Sequence, residues 1–133
     1  MILVDTSVLI DYLKGIKNKG TERFEEILEK KIPFGINNFI YLELLQRSKT
    51  EKDFKTLKKY LDSQVFYNLK NERESYAEAA KMYLKLRQKG VKVSSTIDCL
   101  IARVAMENDL FLLHNDTDFD KMSNYFSLKI WEI

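Results

Sequence analysis

A chain of 133 residues with 45% hydrophobic side chains is long enough for one compact core and too short for two, so a single domain over residues 1–133 is expected. Its 22 basic and 20 acidic residues leave a net charge of +2, which gives no overall electrostatic argument for a nucleic-acid partner, and charged residues break every apolar run short of the roughly 18 residues a membrane span needs. The lone cysteine, Cys99, excludes an internal disulfide, and the opening run Ile2-Leu3-Val4 lacks the basic flank of a leader, so a cytoplasmic location without a membrane partner is expected.

Ile2-Leu3-Val4 followed by Asp5-Thr6-Ser7 reads as a short buried strand entering a helix over Val8 to about Lys14. A second helix is predicted over Glu22 to Lys30, with Thr21 as its cap and Phe24, Ile27 and Leu28 on one face. Pro33 to Ile36 is too short and too punctuated for a helix and gives the second strand. Asn37 or Asn38 opens a helix to Gln46 with a broad apolar face of Phe39, Ile40, Leu42, Leu44 and Leu45, among which Glu43 stands.

A mostly polar helix carrying Phe54, Leu57, Tyr60 and Leu61 follows, then a β-branched and aromatic strand over Val65 to Leu69. The longest helix runs from Glu72 to Lys89 and closes at Gly90. Ser95 or Thr96 caps the next, whose Ile97, Leu100, Ile101, Val104 and Ala105 form a core-facing stripe, with Asp98 in the first turn. Leu110 to Leu113 is the fourth strand, Phe119 to Tyr125 a short helix, and Leu128 to Trp131 a last strand. Strands alternating with helices imply an α/β fold, with a mostly parallel sheet of four to five strands covered by helices on both faces.

In an open parallel sheet, acids just past the strands converge on one crevice. Asp5 follows the first strand, Asn115 and Asp116 follow the fourth, and Asp98 sits at a helix N-terminus. Singly, each has an ordinary explanation as a cap, turn or ion-pair residue. Four or five acids aimed at one edge would repel one another, and a hard divalent cation such as Mg²⁺ or Mn²⁺ is the economical remedy. Other chemistries lack their parts: His114 is the single histidine, Cys99 lies in an apolar helix, and no nucleophile elbow or phosphate-binding glycine loop occurs. An all-carboxylate site that activates water fits phosphodiester hydrolysis.

Val4-Asp5-Thr6-Ser7, Glu43 in Tyr-Leu-Glu-Leu, Ile97-Asp98-Cys99-Leu100-Ile101-Ala102 and Asn115-Asp116-Thr117-Asp118-Phe119 together resemble the four motifs of PIN-domain nucleases, and their order and spacing are similar to the VapC-type toxins of toxin–antitoxin pairs. The resemblance implies a PIN-like fold, Asp5, Glu43, Asp98 and Asp116 as the catalytic acids, the same four with Asp118 as metal ligands, and Thr6 and Asn115 as hydrogen-bonding support. It also implies an RNA substrate, a cognate antitoxin and a homodimer. Lys14, Arg47, Lys49, Arg87 and Lys92 flank the motif-bearing segments and are the candidates for meeting RNA phosphates. A non-catalytic module that keeps the fold, or a PIN nuclease acting in RNA processing, is the alternative. A receiver domain would want an acid pair after the first strand, and a phosphatase of the HAD type a second Asp where Ser7 stands.

Overall fold

Ile2-Leu3-Val4 offers no polar side chain to either face of a pleat, so as a strand it must be covered on both sides. In the computed structural model, which describes residues 1–132, it is the central strand of the sheet. The strands are β1 (Ile2–Val4), β2 (Phe34–Ile36), β3 (Val65–Phe66), β4 (Phe111–Leu113) and β5 (Lys129–Ile130), laid side by side as β3-β2-β1-β4-β5. Every neighbouring pair is parallel, so all five carboxyl ends lie at one edge.

Parallel pairing requires crossovers, and helices supply them. These are α1 (Thr6–Leu13), α2 (Lys19–Glu29), α3 (Asn38–Leu45), α4 (Glu51–Asp62), α5 (Arg73–Gln88), α6 (Thr96–Glu107) and α7 (Thr117–Ser123). One buried cluster joins the sheet to them: Ile2, Leu3, Leu112 and Leu113 from the strands pack with Phe24 and Ile27 of α2, Ile40 of α3, Leu86 of α5, Ile101 of α6 and Phe119 and Met122 of α7.

The sequence reading finds every element, and its boundaries shift where polar side chains seize the backbone. Helix α1 starts two residues early because Asp5 caps it, accepting the Ser7 N–H. Helix α2 starts at Lys19, and the expected cap Thr21 is its third residue: Asn18 accepts the Thr21 N–H at 3.0 Å while Thr21 Oγ1 accepts the Asn18 N–H at 2.9 Å, a reciprocal box that Gly20 in the first turn concealed. Helix α7 starts at Thr117 instead of Phe119, with Asp116 as its cap.

Two faces also differ. Leu42, expected in the apolar face of α3, is 56% exposed, and on α6 the buried set is Cys99, Ile101, Ala102, Val104 and Ala105, with Ile97 and Leu100 only half-buried. Strand β1 has the expected extent and the other four are shorter than expected, and β3 leaves the sheet after Phe66 apart from one bond, Tyr67 N–H to the Ile36 carbonyl at 2.9 Å.

The loop before α5 is fastened by a buried acid. Glu107 accepts the Lys70 N–H at 2.8 Å and the Ser75 hydroxyl at 2.9 Å through one oxygen, and the Arg103 guanidinium at 3.0 Å through the other. Burial penalises this charge, but those donors outweigh the penalty and hold its pKa below the usual carboxylate range. Glu107→Ala leaves Arg103 and two donors without a partner, so thermal or urea unfolding is expected to show a loss of about 3 kcal/mol, against a few tenths for a typical exposed residue.

Candidate active site

The strand register fixes which residues share the carboxyl edge. Leu3 pairs with Gly35 and Val4 with Leu113, so continuing each count sets Asp5 level with Asn37 on one side and His114 on the other. The Asp5 N–H donates to the Leu113 carbonyl at 2.9 Å, which carries the ladder to that row. A carboxylate thus stands at the end of the central strand, 4% exposed, on the axis of the sheet.

Three further acids reach the same place from helix ends. Asp98 comes from the first turn of α6, which Ser95 caps, Asp116 is the cap of α7, and Asp118 lies in the first turn of α7. One oxygen from each of Asp98, Asp116 and Asp118 lies within 4.8 Å of the others. The sequence could not choose between Asp116 and Asp118; both belong to this cluster, held differently. Asp118 Oδ2 accepts the Ser94 N–H and the Ser94 hydroxyl, each at 2.8 Å, and Lys121 Nζ stands 3.4 Å from its other oxygen. Asp116 Oδ1 accepts the Asp118 N–H at 2.9 Å.

The remaining candidates surround these. Asp5 Oδ2 accepts both the Ser7 N–H at 3.1 Å and the Ser7 hydroxyl at 2.6 Å. Glu43 is half-buried and accepts the Thr6 hydroxyl at 3.0 Å, so Thr6 supports an acid as expected. Asn115 does so at one remove. Its amide donates to Asp11 and to the Asn18 oxygen, each at 3.0 Å, while its N–H goes to Ser7 Oγ at 2.9 Å and braces the hydroxyl that holds Asp5. Gly20 makes room for this: a Cβ there would stand 2.0 Å from Asn115 Oδ1.

Ser7, Ser94 and His114 escaped the sequence reading. His114 Nδ1 accepts the Asp116 N–H at 3.0 Å and its ring packs on Phe119, so it orders the turn that presents Asp116. A signal for Ser94 was absent, because it lies 24 residues from Asp118 in a loop with no motif.

The basic candidates fall into two groups. Arg87 and Lys92 share a cavity of about 450 Å³, and Lys92 precedes Ser94 by two residues and accepts Lys121 through its carbonyl, so this pair flanks Asp118. Lys14 lies beyond the C-terminal end of α1, whose first residue is at the acidic edge; at 1.5 Å per residue that is about 12 Å of helix away, while Arg47 and Lys49 follow the end of α3, past Glu43. Arg23, which was not a candidate, shares a cavity of about 290 Å³ with Asp116 and His114.

Crowding the acids changes their protonation. Burial, and then the charges of Asp116, Asp5, Asp118 and Glu43, push the Asp98 carboxyl up to about 7. Burial also raises Asp5, more than the Ser7 bonds lower it. Burial opposes the Asp118 charge as well, yet Ser94 and Lys121 outweigh it and hold that group below its ordinary value. Cys99 is buried, and its thiol is pushed up to about 11 by burial and by Asp98, so it is no nucleophile at neutral pH. An oxygen-rich pocket whose acids resist ionising together is the donor set that a hard divalent cation requires.

The sign of the pH dependence follows. Unfolded, Asp98 titrates near 3.8; folded, near 7. Between these values the folded chain holds the extra proton, so without divalent ions stability falls as pH rises from about 4 to about 7 and this contribution is then constant. Melting curves in chelator across that range are expected to show the fall, and Asp98→Asn to reduce it; a stability that rises over the same window in both proteins contradicts the assignment.

Comparison with known proteins agrees with this geometry. The PIN domain family model matches residues 2–125. Ribonuclease VapC11 of Mycobacterium tuberculosis is 26% identical over 130 residues, 97% of this chain and 96% of that protein. The VapBC structure from Salmonella typhimurium, bound to DNA, is similar at a TM-score of 0.72 and 18% identity, covering 98% of this chain and 96% of that one. VapBC2 from Rickettsia felis, bound to a DNA fragment from its promoter, is similar at 0.70 and 21% identity, covering 98% and 99%. At those identities the structures speak for the fold alone, while the family model spans β1 to β4, the seven helices and all the clustered acids: the chain belongs to the PIN domain family.

Proposed function

We propose that this chain is a divalent-metal-dependent endoribonuclease, acting as one domain over residues 1–133, and the toxin of a toxin–antitoxin pair. The observation that carries the reading is the cluster of Asp98, Asp116 and Asp118 within 4.8 Å at the carboxyl edge of the sheet. The ribonuclease relative and the toxin–antitoxin neighbours support the substrate and the role.

Asp98, Asp116 and Asp118 are the residues to hold Mg²⁺ or Mn²⁺, with Asp5 and Glu43 completing the acidic set. When bound, such a cation supplies a Lewis acid that lowers the pKa of water and offsets charge at the phosphate. The chain itself supplies position. Ser7 fixes Asp5 and Ser94 fixes Asp118, so two carboxylates are oriented by paired N–H and O–H donors before any ligand arrives. Thr6 orients Glu43 from the adjoining residue. Asp98 carries the proton that must leave for the full negative set to form. His114 gives Nδ1 to the Asp116 backbone, which withdraws that nitrogen from acid–base work.

RNA phosphates require cations around this acidic centre; Lys121 and Arg23 stand beside Asp118 and Asp116, and Lys92 and Arg87 line the cavity next to the Ser94 loop. The antitoxin is assigned to an apolar groove of about 500 Å³ between α1 and α4, where Leu9, Tyr12, Leu13, Leu57 and Tyr60 present carbon surface. A homodimer and a cytoplasmic site of action complete the reading. No helix of the described residues is long and apolar enough to cross a membrane.

Asp98→Asn keeps the size of the side chain and removes the charge, so Mg²⁺-dependent cleavage of cellular RNA is expected to fall at least 100-fold while the melting temperature holds or rises; equal cleavage by both proteins removes Asp98 from the site. Arg87→Ala and Lys92→Ala are expected to reduce the slope of log affinity against log salt by about one unit each, measured on a single-stranded RNA, whereas Lys14→Ala, at the far end of α1, leaves it unchanged.

A further inference from the structure

The carboxyl edge continues past Asp5 on the side away from the acids, and there it opens into a cavity of about 560 Å³ between α3, α5 and the segment after β3. Ile36 pairs with Phe66, so the row that holds Asp5 and Asn37 continues to Tyr67; both residues border the cavity. Asn37 is therefore one strand spacing, about 4.8 Å, from Asp5.

Asn37 is 1% exposed, and its amide has a fixed orientation. Oδ1 caps α3 by accepting the Ile40 N–H at 2.9 Å, so a flipped amide would set two donors against each other. Nδ2 is left with no partner among the described residues. An unpaired buried donor is costly, and a small turn of this amide toward the cavity that Asn37 lines would let a ligand's acceptor pair with it. The walls suit a flat ligand: Phe39 and Tyr76 stand edge to face with centroids 6.4 Å apart, and Tyr76 is 51% exposed. Glu72 and Arg73 on the rim carry opposite charges, so the rim as a whole presents no net cation to a phosphate.

The cavity is also built in advance. Glu107 anchors Lys70 and Ser75 on either side of the rim residues Glu72 and Arg73. The Tyr67 ring lies so close over Gly35 that a Cβ there would stand 2.6 Å from it, so the absence of a side chain at Gly35 sets the position of that wall.

We infer that this cavity is a subsite for one nucleobase of the RNA beside the cleaved phosphate, with the Asn37 amide donating to a base carbonyl and Tyr76 and Phe39 packing on the ring. It rests on the RNA-cleaving reading above. Uracil, cytosine and guanine meet this donor with an exocyclic carbonyl oxygen, whereas adenine's acceptors are ring nitrogens set back from that position, so a base seated for a carbonyl contact holds adenine less well. The subsite gives the enzyme a base preference at one position relative to the cut.

The test combines two measurements on the full chain: ¹⁵N NMR titration with the four nucleoside monophosphates UMP, CMP, GMP and AMP, and sequencing of cut sites in a randomised RNA pool. Asn37→Ser keeps a cap oxygen for Ile40 and removes the donors; Tyr76→Ala trims an exposed ring and preserves the fold. UMP, CMP and GMP are expected to shift the Asn37 side-chain signal, AMP to bind about tenfold more weakly, and each variant to weaken binding about tenfold and flatten the preference. Cleavage by wild type, with Asn37 unshifted by every nucleotide and the preference unchanged in both variants, overturns the subsite and leaves the nuclease reading standing. Nucleotide-dependent shifts at Asn37 without cleavage of any RNA support the subsite and overturn the nuclease reading. Neither shifts nor cleavage overturns both.

Discussion

The structure turns on the cost of holding carboxylates together in partial burial. Five parallel strands deliver their carboxyl ends to one edge, and Asp5, Asp98, Asp116 and Asp118 converge there from β1, α6 and α7. Each would ionise freely in water; packed together they cannot all do so, and the cost gathers on Asp98, whose carboxyl is pushed up to about 7. Asp98 is the acid for which the described residues supply no hydrogen-bond donor, so it bears the repulsion that Ser7 and Ser94 relieve at Asp5 and Asp118. The rest of the fold keeps this arrangement from relaxing. A buried core fixes the strands, and helix caps fix the turns.

Several of these residues serve the fold and the site at once. Asp5 caps α1 and Asp116 caps α7, so helix initiation and acid placement are the same event. The same economy runs through the supporting shell. The Ser7 hydroxyl donates to Asp5 and accepts the Asn115 N–H, linking the chain after β1 to the chain after β4, and Gly20 lets α2 close on Asn115. A change at Gly20 therefore reaches Asp5 through Asn115 and Ser7 without touching it.

Most of this organisation is legible in the sequence, for identifiable reasons. Continuous apolar runs such as Ile2 to Val4 mark buried strands, and polar residues directly after them mark the carboxyl edge, so Asp5 and Asp116 are legible from the pattern, Asp98 from its helix start, and Glu43 only from the resemblance to PIN-domain motifs. Helix starts were less legible, because Asp5, Asn18 and Asp116 act through side-chain bonds to backbone that spacing alone does not distinguish from turn chemistry. Ser94 was illegible altogether, since its link to Asp118 is purely tertiary. Leu42 shows the opposite failure: the pattern called for burial, and the helix turns it to solvent because Ile40, Leu44 and Leu45 already fill the core side of α3.

If the cluster is a cation site kept in charge conflict until the ion arrives, binding must expel the proton that Asp98 holds. Isothermal titration calorimetry with Mn²⁺ in buffers of different ionisation enthalpy measures that proton directly. At pH 6, below the value near 7, the account expects release of close to one proton per chain; at pH 8.5 it expects almost none, and at pH 6 the Asp98→Asn protein should release far less. Mn²⁺ binding that releases no proton at pH 6, or releases the same amount from the Asp98→Asn protein, would contradict the account.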